Sequence, residues 1–273
     1  MATKKAKSST KKTTVKKPMA KVSNLTAIAK VKQFVVCRCK TPTKTSMIAA
    51  LVAEFIGTFL LVVSVFTVQG QPLFVAFALI GVVLVVGGIS GAYVNPITTI
   101  GSWVTRKMCS ICAIGYIIAQ VLGATAAWLV LNAFLSGAAQ SSDMMTTSAP
   151  ELFHAATLVS GKEWYIFFAE LLGAAILAFG FASMMRMKKD KIASAFTYGL
   201  ATLIALLIAG SATAVFLTES NTSFTFINPA IALVANGLSW NMWPIAIYIL
   251  APVIGGIIGF VIQDFLQANA DQE

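Results

Sequence analysis

Glu54 and Glu170 each lie deep in a long apolar stretch of this 273-residue chain, and Asn95 and Asn228 each open an Asn-Pro step in a shorter one. Inserting an acid at helix depth costs about 2.5–3.5 kcal/mol, so it marks a site or a structural partner. A helix break at mid-membrane leaves backbone polar groups that cost several kcal/mol each unless they line a cavity or are buried in protein. Side-chain amides and freed carbonyls offer hydrogen bonding to a neutral polar solute. They offer no nucleophile and no acid–base pair. The single histidine, His154, sits in a polar loop from about Ser136 to Lys162, with no cysteine or carboxylate cluster at catalytic spacing. The expectation is a non-enzyme with no cofactor and no resident metal.

The elements that must hold these groups follow from composition. The chain is 58% hydrophobic and 11% charged, which excludes an ordinary soluble domain. Six apolar stretches are long enough for about 30 Å of hydrocarbon. They run roughly Met47 to Thr67, Leu73 to Gly91, Ile111 to Leu135, Trp164 to Met185, Ile192 to Leu217 and Trp243 to Leu266. Thirteen of the 20 Lys and Arg lie at or before Lys44; Arg106 and Lys107 follow the second stretch, and Arg186, Lys188, Lys189 and Lys191 follow the fourth. Only Lys162 follows an odd-numbered stretch. Six spans with both termini in the cytoplasm put nineteen cations on one side, as the positive-inside rule requires. The expected setting is the plasma membrane.

Residues 1–44 form a Lys-, Thr- and Ser-rich tail, read as a disordered cytoplasmic arm drawn to anionic lipid headgroups. No aromatic residues interleave its Lys runs, so nucleic acid is not expected as a partner. Cys37, Cys39, Cys109 and Cys112 map to the cytoplasmic side, where thiols stay reduced. Their C-x-C and C-x-x-C spacings leave a zinc site open as the lesser alternative to simple packing.

The body, residues 45–267, reads as two halves, about 47–135 and 163–266. Ala53-Glu54-Phe55-Ile56-Gly57 in the first span matches Ala169-Glu170-Leu171-Leu172-Gly173 in the fourth. Tyr116 to Gly123 in the third matches Tyr248 to Gly255 in the sixth. Three spans per half is an odd number, so the halves are inverted relative to each other. Each half carries an Asn-Pro segment between its second and third spans: Asn95-Pro96-Ile97 and Asn228-Pro229-Ala230. Asn suits the N-cap, and Pro the first helical position, where its missing N–H is no loss. Asn95 to Thr105 and Asn228 to Leu238 would each cover about half the hydrocarbon core. Arg106 and Lys107 would complement the dipole at the end of the first, and Gly237 would cap the second. Two half-helices would thus meet tip to tip at the centre. The loops before them, 91–94 and 223–227, would turn their carbonyls into a lumen. Gly57, Gly81, Gly123, Gly173, Gly199 and Gly255 would let helices cross closely.

With those residues in hand, the sequence resembles the major intrinsic proteins, the aquaporin and aquaglyceroporin family. Ile89 to Pro96 is similar to the family's first signature, and Ala53 to Phe59 to its first-helix signature. The likeness runs from about Met47 to Leu266. It implies an all-α membrane fold of six transmembrane helices plus two re-entrant half-helices. It also implies a homotetramer in the lipid bilayer with one pore per subunit. Asn95 and Asn228 would donate to the solute. Glu54 and Glu170 would accept from the backbone of the half-helix loops.

The chain departs from the family pattern at the narrow outer constriction. The usual arginine after the second motif is Ile231, and the usual aromatic of the second helix falls on Val75, with Phe77 two residues away. The other two positions fall on about Leu206 and on Thr225, and Ile97 replaces the small residue of the first motif. The expected activity is passive passage of water or another small neutral solute, with glycerol, ammonia, urea and hydrogen peroxide open. Ion-coupled transport would need ionisable groups that the spans lack. A non-conducting scaffold would need the pore plugged, for instance by Ile97 and Ile231.

Overall fold

The computed structural model describes residues 44–141, 152–187, 189–217 and 222–270. The basic tail, with Cys37 and Cys39, lies outside the described residues apart from Lys44. Eight helices are formed among those described. They are α1 (Lys44–Thr67), α2 (Pro72–Val86), α3 (Pro96–Val104), α4 (Ser110–Ser141), α5 (Glu163–Met184), α6 (Lys191–Ala214), α7 (Pro229–Val234) and α8 (Met242–Ala270). Two short strands, β1 (His154–Ala155) and β2 (Thr222–Ser223), pair in parallel.

Helices α1, α4, α5, α6 and α8 are each long and apolar enough to cross a membrane. Helix α2 is shorter, 15 residues, or about 22 Å. It ends at Val86 rather than running to Gly91, because Gly87 and Gly88 favour turns. The turn keeps the ladder going, with Ser90 N donating to Val86 O at 3.1 Å and Gly91 N to Gly87 O at 3.1 Å.

Packing follows the internal repeat. Helix α1 packs on α4 in the first half, and α5 packs on α8 in the second. Each pair closes on glycine: a Cβ on Gly123 would lie 2.4 Å from Phe55 O, and Cβ atoms on Gly255 and Gly259 would lie 2.1 Å from Leu171 O and 2.2 Å from Ala175 O. Such contact with backbone carbonyls is the close helix approach that small residues permit. Gly81 is the exception among the glycines expected at crossings, with nothing within 4 Å of its Cβ position. The halves interlock through the short helices. α3 packs on α8 as well as α4, and α7 packs on α4.

Helix α8 opens with a π-turn over Ala246–Leu250, where Ala251 N donates to Ala246 O. The widened turn falls just ahead of Pro252, whose ring would otherwise press on the carbonyl four residues back. At the start of α4, Cys109 and Cys112 are joined as a disulfide with Cα atoms 5.3 Å apart. One helical turn brings i and i+3 together. Among the described residues no group of three or more His, Cys, Asp or Glu could hold a metal ion.

Candidate functional site

The two half-helices start alike. Asn95 takes extended backbone (φ −152°) and its Oδ1 accepts from Ile97 N at 3.0 Å; Asn228 has the same φ and its Oδ1 accepts from Ala230 N at 3.0 Å. Both are N-caps with proline at the first helical position. Their amide nitrogens then cross over. Asn95 Nδ2 donates to Ile227 O at 2.8 Å, and Asn228 Nδ2 donates to Val94 O at 3.2 Å. Each asparagine thus ties its own helix tip to the opposite loop, and the two tips sit side by side.

They also end alike. Lys107 N donates to Ser102 O at 2.7 Å, and Gly237 N donates to Ala232 O at 2.8 Å, with Arg106 (φ +61°) and Asn236 (φ +59°) in left-handed backbone. This is the Schellman termination. The left-handed residue of the second helix is therefore Asn236; Gly237 supplies the following N–H instead of the expected cap. Helix α7 is also only 6 residues and does not reach Leu238, since the termination falls after Ala235.

Glu54 and Glu170 hold the loops that carry these asparagines. Glu54 accepts from Tyr93 N at 2.9 Å through one oxygen and from Val94 N at 2.8 Å through the other. Glu170 accepts from the N–H groups of Phe226 and Ile227. The loops need such holding. Ala92 (φ +50°), Val94 (φ +43°) and Ile227 (φ +53°) all sit in the left-handed region, which is costly for β-branched side chains. The first half adds Gln120, fully buried, whose Nε2 donates to Glu54 Oε2 at 2.8 Å and to Thr99 Oγ1 at 3.0 Å. Its repeat mate is Pro252, so Glu170 has no such brace. Gln120 was legible as an amide inside an apolar span.

A cavity runs from this centre toward the side of the 152–162 loop. Asn95, Asn228, Val75, Leu206, Thr225 and Ile231 all line it. It is narrow, with a volume of about 40 Å³. A wider vestibule of about 310 Å³ shares Gly70, Leu206 and Thr225 with it. On the other side, between Tyr93, Met185 and Lys191, lies a third space of about 480 Å³. Tyr93 borders this space and Tyr198 the narrow cavity, and Tyr198 OH donates to Tyr93 O at 3.3 Å.

Two residues near the motif positions face away from the cavity. Ile97 is buried and meets Gly256 of α8, and it is not among the residues that line this cavity. Phe77 is 58% exposed on the outer face of α2. Lining residues that the motifs did not single out include Phe153, Tyr198 and Thr202. Lys107 Nζ (2.6 Å) and Arg186 Nη2 (3.1 Å) both reach Asp264.

Five membrane-length helices, the shorter apolar α2, two opposed half-helices and a narrow central cavity define a membrane channel of inverted-repeat architecture. The family model for the major intrinsic proteins matches residues 44–263, and the chain belongs to that family. The family consists of multi-pass membrane channels for water, glycerol or other small solutes. The chain is 30% identical over 217 residues to glycerol uptake facilitator protein-like 6 of Lactiplantibacillus plantarum, covering 76% of this chain and 92% of that one. It is 28% identical to aquaporin AqpM of Methanothermobacter marburgensis, over 71% of this chain and 74% of that one. In fold it is similar to the aquaglyceroporin from Plasmodium falciparum, with a TM-score of 0.60 at 19% identity, over 83% of this chain and all of that one.

Proposed function

We propose that this protein is a passive channel for water and small neutral solutes that excludes ions and protons at the paired asparagines. It is not an enzyme in this reading and uses no cofactor. The crossed amides carry the reading. Each asparagine spends one N–H on the opposite loop, and its second N–H is left for a solute in single file. Two positive helix ends at the same point repel cations, which also lose hydration in a cavity this narrow. We place the constriction at Val75, Leu206, Thr225 and Ile231. Its one hydroxyl is turned away: Thr225 Oγ1 lies 3.1 Å from Thr213 Oγ1 and 3.4 Å from Ala209 O. A solute there finds apolar walls.

That apolar ring favours a second reading within the same class, a facilitator of glycerol, ammonia or a comparable small solute. A relative's name, glycerol uptake facilitator protein-like 6, supports it. The protein would act as a homotetramer in the plasma membrane, with residues 1–44 and the C-terminus in the cytoplasm and residues 45–267 forming the pore. The vestibule beside the 152–162 loop is then the outer one.

Purified protein in liposomes should speed osmotic shrinkage in stopped-flow light scattering. Traces that overlay those of protein-free liposomes would defeat the proposal. Ile231→Arg should slow glycerol and urea more than water; unchanged uptake of both would move the constriction elsewhere.

A further inference from the structure

We infer that Phe153, carried by the loop between α4 and α5, is a specificity-determining side chain of the pore and stands in for the aromatic that α2 lacks. The inference rests on the channel reading above and names the residue that sets its size limit. Phe153 is 3% exposed and lines the narrow cavity together with Val75 and Ile231. The α2 position expected to carry an aromatic is Val75, and nearby Phe77 faces outward. Phe153, Tyr198 and Phe226 are the aromatic residues that line the cavity, and Phe153 is the one brought in by the loop between α4 and α5.

Three features seat the ring. Gly70, at φ +68°, leaves the space it occupies: a Cβ there would lie 2.6 Å from the tip of Phe153. Phe66 and Phe226 meet it edge-on, with centroids 6.0 and 5.9 Å away, a favoured aromatic geometry. The backbone just after it is pinned to the second half-helix. Strand β1 pairs with β2, Ala155 N donates to Ala235 O at 2.7 Å, and Ala156 N donates to Ser223 O at 2.9 Å.

That last bond breaks the repeat. In the first half, Tyr116 OH donates to Ser90 O at 2.9 Å. The matching carbonyl in the second half is Ser223 O, which Ala156 takes, and Tyr248 OH is left buried with no hydrogen-bond partner. At this position the second half carries the loop's hydrogen bond and lacks the tyrosine's. A ring at this wall narrows the lumen and offers no hydrogen bond, so it selects by solute cross-section.

The test measures glycerol and water permeability of full-length protein in liposomes, for wild type, Phe153→Ala, Phe153→Leu and the outward-facing control Phe77→Ala. Phe153→Ala should raise the glycerol-to-water ratio at least threefold, Phe153→Leu should raise it by less, and Phe77→Ala should leave it unchanged. If Phe153→Ala does not fold, a raised ratio in Phe153→Leu supports the assignment and an unchanged one overturns it. A wild-type ratio in both Phe153 variants, with water flow still above protein-free liposomes, overturns the assignment alone. Wild-type protein that conducts nothing sinks the channel reading and this inference with it.

Discussion

Replacing Glu54 should damage both the fold and conduction, in steps set by how many donors lose their acceptor. The carboxylate accepts from Tyr93 N, Val94 N and Gln120 Nε2 at 2.8–2.9 Å, and all three groups are buried. Leaving a buried donor unpaired costs about 1–3 kcal/mol. Glu54→Ala orphans three, so the expected loss is on the order of 3–6 kcal/mol after local relaxation. Glu54→Gln keeps one oxygen and turns an NH2 toward the remaining donors, so it should cost about 1–3 kcal/mol. The loop it anchors carries Val94 O, the acceptor of Asn228 Nδ2. Conduction should therefore fall along with stability. Thermal unfolding in detergent and stopped-flow shrinkage of liposomes read the two effects. A double-mutant cycle with Gln120→Ala should show coupling of about 0.5–3 kcal/mol, since the two share a hydrogen bond. A Glu54→Gln protein that unfolds and conducts like wild type would refute this account of the loop.

Asn95→Asp preserves the cap to Ile97 N but removes the donor to Ile227 O; it should cut water permeability and admit cations, measured as conductance across planar bilayers. Gly255→Ala, whose Cβ would meet Leu171 O at 2.1 Å, should cost about 1–3 kcal/mol by overpacking. Gly81→Ala, with open space at its Cβ, should stay within about 0.5 kcal/mol of wild type, and the pair is compared by thermal unfolding. Asp264→Asn removes the partner of Lys107 and Arg186, but the pairs are 26–41% exposed. The loss should stay below about 1 kcal/mol and shrink as salt rises.

The sequence by itself located the long apolar helices and the two breaks, and misjudged where α2 ends. These are local or compositional facts: apolar length, the spacing of cations between the stretches, and an Asn-Pro step suited to open a helix. It also marked Glu54 and Glu170, because an acid inside an apolar stretch is conspicuous. The second half-helix was legible at its start and not at its end, since Asn236 and Gly237 are both suited to a left-handed cap and only the chain path chose between them. What tertiary structure alone decided was which side chains face the lumen. Ile97 and Ile231 occupy nearby positions in their motifs, yet one packs on Gly256 and the other lines the cavity. Phe153 is far in sequence from both motifs and reaches the pore through a loop docked on β2 and α7. Hydropathy counts how much of a segment is apolar; the direction of a single side chain depends on which neighbours arrive around it.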